Sequence, residues 1–155
     1  MKITKFIFLF FFLVFINKPL IGNELIKPNI KFKPKDIIKI QLDALKKNDS
    51  PFTDFGIEQT WEFAHPSNKI FTGPLSNFKK MLHGKNYKNL LNHFSHEINL
   101  IQKKTDSFLF EVKVIDKNKK IFVYSWEIRK GDEKGCKNCW FTSSVAMPIE
   151  KGESI

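Results

Sequence analysis

"SFLFEVKVIDKNKKIFVYSWEI" (Ser107–Ile128) decides the fold. In its first part Phe108, Phe110, Val112 and Val114 fall on one face, with Glu111 and Lys113 on the other. Its last part repeats the pattern: Phe122, Tyr124, Trp126 and Ile128 oppose Ser125 and Glu127. A period of two is that of a half-buried strand, and "DKNKK" (Asp116–Lys120) between them reads as a turn. The alternation extends outward. "HEINLIQ" (His96–Gln102) precedes it, "KGDEKG" (Lys130–Gly135) is the next turn, and "CWFTSSVAM" (Cys139–Met147) is the last strand. The buried face of that strand is ambiguous, because Trp140 and Phe141 are adjacent.

Upstream the period changes to that of helices. In "IIKIQLDALKK" (Ile37–Lys47), Ile38, Leu42 and Leu45 share one face, Asp36 can cap it, and Asn48–Pro51 stops it. A second helix starts near Thr53 or Asp54, carries Ile57, Trp61 and Ala64, and ends at His65-Pro66. A third is expected after Thr72 as cap, with Leu75, Phe78 and Leu82 as its stripe, Met81 beside it and Gly84 closing it. Helices followed by consecutive strands on short turns predict an α+β fold. The expected architecture is cone-like: N-terminal helices packed on a curved antiparallel sheet of four or more strands, with a mouth at the open end.

The N-terminus is read as a leader. "FIFLFFFLVFI" (Phe6–Ile16) follows Lys2 and Lys5 and is too short to span a bilayer. Residues 1–22 are assigned as a signal peptide cut near Gly22, with an uncleaved anchor as the alternative. Residues 23–35 form an extended arm, 36–148 the domain, and 149–155 a tail. The chain is therefore expected to be exported, to a periplasm, an organelle lumen or the medium, and to meet a membrane only through the leader. The net charge of +10 falls to +7 without Lys2, Lys5 and Lys18. Nucleic acid is not the expected partner, since all but one of the 26 basic residues are Lys, and Arg129 is the exception.

"FAHPSNKIFTGPLSNF" (Phe63–Phe78) joins the second and third helices and is rich for a connector. As scaffold, Pro66 stops a helix, Asn68 makes an Asx-type turn, Thr72 caps, and Phe71 staples to Phe78. As a site, His65, Asn68 and Thr72 line the cone mouth between walls of Trp61 and Phe71. The scaffold reading accounts for more of its residues. Cys136 and Cys139 are candidates for a small disulfide in the last hairpin. The same two with His93 and His96 make a weaker metal alternative, because i and i+3 residues on a strand face opposite ways.

The order of elements and the "FA-P-N-TGPL-F--M" pattern (Phe63, Ala64, Pro66, Asn68, Thr72, Gly73, Pro74, Leu75, Phe78, Met81) resemble the nuclear transport factor 2-like superfamily. This is also called the cystatin-like cone fold. The nearer likeness is to a member family with no established activity. "IIKIQLDALKKND" (Ile37–Asp49), "YSWEIRK" (Tyr124–Lys130) and "CWFTSSVAM" carry the likeness along the rest of the chain. The resemblance implies a cone fold and, by analogy, a homodimer through the outer sheet face. It does not choose a function. A ketosteroid-isomerase-like mechanism needs a carboxylate base and a Tyr or protonated Asp donor. Tyr124 supplies a donor, but Glu111 and Glu127 lie on polar faces, and His65 and His93 lack an orienting carboxylate. The expectation is a non-catalytic module that takes a small apolar molecule or a protein at the cone mouth, with no cofactor. The ligand candidates are Trp61, His65, Asn68, Phe71, Tyr124 and Trp126. A small isomerase or hydro-lyase is the alternative.

Overall fold

The computed structural model describes residues 24–133 and 135–154. The leader read at 1–22 lies outside them. Four helices and a five-stranded open antiparallel sheet make up the described chain: α1 (Pro34–Lys46), α2 (Phe55–Glu62), α3 (Pro66–Thr72), α4 (Leu75–His83), then β1 (Ser95–Lys103), β2 (Ser107–Ile115), β3 (Lys120–Glu133), β4 (Cys136–Val145) and β5 (Ile149–Glu153). A short 3-10 turn, Lys88–Leu90, separates helices from strands. The fold is α+β, as the periodicity predicts. Among the described residues no helix is long and apolar enough to cross a membrane.

The sheet follows the opening pattern. Phe110 pairs with Trp126, Val112 with Tyr124 and Val114 with Phe122, all six buried on the face toward the helices. Asp116 sets the turn between β2 and β3, its Oδ1 accepting from the backbone N–H groups of Asn118 (2.8 Å) and Lys120 (2.9 Å). The order is β1-β2-β3-β4, and β5 pairs with the first part of β3. The expected tail is thus largely a strand that continues β4 along the same edge of β3, after a break at 146–148 that holds Pro148.

The ambiguity in β4 has a structural cause. Its register slips between Glu127 and Ile128, leaving Ser143 unpaired, and both Phe141 and Thr142 are buried. Thr142 faces Trp126 (3.0 Å between Oγ1 and Nε1), while Phe141 points the other way, edge-on to the His65 ring at 6.3 Å. The outer edge of β4 is not bare. The His65 N–H donates to the Thr142 carbonyl and the Thr142 N–H to the Phe63 carbonyl, both at 2.8 Å, which covers an otherwise unpaired sheet edge.

Two helix starts differ from expectation. Helix α1 begins at Pro34, which suits a first turn because it lacks an N–H. Asp36 lies inside that turn and accepts from the Lys33 N–H at 2.8 Å. The expected long loop contains α3. His65 caps it through Nδ1, which accepts from the Ser67 N–H at 3.2 Å, and Pro66 opens it. Thr72 ends α3 rather than starting α4: its hydroxyl donates to the Asn68 carbonyl at 2.8 Å. No Phe71–Phe78 staple forms, since Phe71 is 92% exposed while Phe78 is buried. The left-handed Gly73 (φ 77°) provides the corner between α3 and α4.

The arm is docked. Ile26 exchanges two backbone hydrogen bonds with the buried Gln59 side chain, at 2.7 and 2.9 Å, and the Phe32 ring meets Phe63 at 6.1 Å. Ile37, Ile38, Leu42 and Leu45 of α1 join one core cluster with Phe110, Val112 and Val114 of β2 and Phe122, Tyr124, Trp126 and Ile128 of β3. Each such side chain is worth about 1.5–3 kcal/mol of burial.

Candidate functional site

A cavity of about 370 Å³ lies between the helices and the β3–β4 half of the sheet. Leu45, Phe78, Leu82, Leu90, Met81 and Trp126 give it an apolar wall, and Gln41, Thr60 and Thr142 a polar inner end. Ser67, Asn68, Phe71 and Thr72 bring α3 to it, and Ser143, Ser144 and Val145 bring in the bulged end of β4. None of the described residues lining it is Asp, Glu, Lys, Arg or His. Tyr87 is the titratable group there; it donates from its hydroxyl to the Val145 carbonyl at 2.9 Å, and burial pushes its pKa up.

The inner end is a hydrogen-bonded chain. Trp126 Nε1 donates to Thr142 Oγ1 (3.0 Å), Thr142 donates to Gln41 Oε1 (2.6 Å), and Gln41 Nε2 donates to the Thr60 carbonyl (3.0 Å). Gln41, Thr60 and Thr142 are all buried. Buried polar groups are tolerated only when paired in this way, so the chain fixes α1, α2, β3 and β4 relative to one another around the cavity.

Of the ligand candidates from sequence, Asn68, Phe71 and Trp126 meet at this cavity. Trp61 lies outside its lining, tilted on Phe78 at 4.9 Å with the Lys69 ammonium 5.6 Å from its ring centre. His65 also lies outside it. Its Nδ1 meets the Ser67 hydroxyl at 2.7 Å and its Nε2 the Lys130 carbonyl at 3.2 Å. A Cβ on Gly131 would come 2.7 Å from that Nε2, so the glycine makes room for the ring. Tyr124 is fully buried among the core side chains and does not line the cavity; its hydroxyl has no partner among the described residues, and burial drives its pKa upward, with Tyr87 and Asp116 adding to the effect.

The four-residue metal set is not assembled. Cys136 and Cys139 stand at disulfide-bonding distance, Cα atoms 5.8 Å apart. His96 is opposite Val114, which is opposite Phe122, whereas Cys139 is opposite Gly131, nine residues further along β3 and so roughly 30 Å away. His93 and His96 bond each other instead, Nε2 to Nδ1 at 2.7 Å. His93 Nδ1 donates to the Leu90 carbonyl at 2.7 Å, so its Nε2 is the acceptor. Burial pulls the His93 pKa down to about 4, and that of His96 down as well.

No family model, curated protein or solved structure matches the chain. The cavity therefore carries the functional reading without a relative to lend one. Sequence reasoning missed Gln41 and Thr142. Gln41 carried a readable signal, a polar residue three after Ile38 on an apolar helical face. Thr142 carried none, because its inward orientation depends on the β4 bulge.

Proposed function

We propose that this protein is a non-catalytic binding module of nuclear transport factor 2-like, cone type that holds a small, mainly apolar, uncharged molecule in the cavity between its helices and β3–β4. One observation carries the reading: a space of about 370 Å³ with apolar walls and a few placed polar groups, with no Asp, Glu, Lys, Arg or His among the described residues that line it. Clefts of roughly 300–1,000 Å³ with this mixture are the usual form of small-molecule sites. An isomerase or hydro-lyase has less support, since Tyr124 sits outside the lining and His65 is engaged by Ser67 and Lys130. A protein partner at the mouth draws support from one feature, the exposure of Ile70 (84%) and Phe71 (92%) on α3. The leader-like Phe6–Ile16 run and the Cys136–Cys139 pair support export to an oxidising compartment.

The test is a fluorescence titration with the neutral probe phenylnaphthylamine. Saturable enhancement by the folded protein is expected, with loss of most of it in Met81→Trp, which fills the cavity from α4. A native protein that gives no saturable signal contradicts the proposal.

A further inference from the structure

The polar inner end of the cavity has hydrogens that can be placed one by one. Trp126 Nε1 is only ever a donor, so Thr142 Oγ1 accepts from it at 3.0 Å. The single Thr142 hydroxyl hydrogen then goes to Gln41 Oε1 at 2.6 Å. The Thr60 carbonyl can only accept, so the Gln41 amide must turn an N–H toward it, at 3.0 Å. A flipped Gln41 would set its oxygen against that carbonyl, two acceptors with no hydrogen between them. The Trp126 and Thr142 donors are both used. Of the two Gln41 N–H hydrogens one is used, and the second has no partner among the described residues. Gln41 is 1% exposed and lines the cavity. A buried donor left unmade carries most of its desolvation cost, and an unpaired N–H is the rarer and costlier defect than an unfilled acceptor lone pair.

The surroundings restrict what can meet it. No Lys, Arg or His among the described lining residues could pair an entering carboxylate, and no Asp or Glu could pair an amine. A charge buried there would stay uncompensated. Resting on the binding function proposed above, we infer that the cavity selects a neutral ligand whose apolar body ends in a hydrogen-bond acceptor, a ketone-, ester- or ether-type oxygen, received by the second N–H of Gln41. Gln41 is then a specificity-determining residue, and Thr142 and Trp126 are positioning residues that hold its amide in one orientation.

The experiment uses three probes of nearly one shape with the full chain: methyl naphthyl ketone, ethylnaphthalene and naphthoate. The ketone is expected to bind about three- to tenfold more tightly than the hydrocarbon, the worth of one net hydrogen bond. Naphthoate is expected to bind more weakly than either. Gln41→Met, similar in volume and without the amide, is expected to bring the ketone-to-hydrocarbon ratio to about one. In the unaltered protein the ketone should shift the Gln41 side-chain amide resonances, which keeps the inference testable if the variant does not fold. Hydrocarbon binding with no ketone advantage, or with naphthoate tightest, overturns this inference and leaves the binding function standing. Failure of both neutral probes to bind overturns the two together.

Discussion

Helices α1 and α3 lie against the same sheet and do opposite things. Over thirteen residues α1 buries Ile37, Ile38, Gln41, Leu42 and Leu45. Over seven residues α3 buries none, and leaves Ile70 and Phe71 among the most exposed large apolar side chains described. A helix that short gains little from its own hydrogen bonds. What holds α3 is at its start: the His65 cap, the backbone bonds between 63–65 and Thr142, and the Lys69–Glu133 pair at 3.1 Å. The contrast teaches that one helix is held by what it buries and the other by the polar contacts at its start. Helix α1 closes the core, and α3 borders a cavity whose inner end α1 also supplies through Gln41.

That division can be broken from the core side first. Leu42 is fully buried on α1, and Leu42→Ala should cost about 2–5 kcal/mol in chemical denaturation; a loss under about 1 kcal/mol would mean the core is not where this account puts it. Acid should act next, through the buried His93. Its folded pKa of about 4 lies below the ordinary 6.5, so the unfolded chain binds more protons between those values. Stability is therefore full above pH 6.5 and falls as pH drops toward 4, by roughly 3 kcal/mol. Urea midpoints across that range measure the fall, and His93→Gln should flatten it. The link between the two regions comes third. Thr142→Val removes the hydroxyl between Trp126 and Gln41 and should cost about 1–3 kcal/mol, because both partners are left buried. Smallest in stability is Phe71→Ala, expected within about 0.5 kcal/mol of the parent. Its effect should appear instead as weaker phenylnaphthylamine binding. A Phe71→Ala protein that unfolds easily and binds normally would reverse the contrast.

How much of this was legible in the sequence follows the same division. Alternation in Ser107–Ile128 is a direct consequence of one-sided burial, so it gave the strands and their inward faces, while the pairing of Phe110 with Trp126 is seen only in the structure. The stripe Ile38, Leu42, Leu45 gave α1 for the same reason. Helix α3 was hidden because it has no buried stripe, and periodicity registers only burial. Its residues read as turn and cap chemistry, and three of those assignments moved: Thr72 bonds backward to Asn68, His65 became the cap, and Asn68 lies inside α3 with its Nδ2 toward the Thr142 carbonyl instead of making an Asx-type turn. The cavity was half legible. Trp126 follows from strand alternation, but its hydrogen-bond partner Thr142 depends on a bulge that no local pattern announces. Gln41 stood in view as a polar residue on an apolar face and needed only the question of what it pairs with.

The central claim is that the space between the helices and β3–β4 is a ligand site. Methyl and amide NMR of the protein during titration with methyl naphthyl ketone tests it most directly. Shifts should saturate and concentrate on Leu45, Met81, Leu82, Leu90 and Val145, which line the cavity, with the Gln41 side-chain amide moving in step. Shifts confined to Leu109, Ile121 and Val123, which alternate with the inward-facing residues of β2 and β3, or no saturable shifts at all, would contradict it.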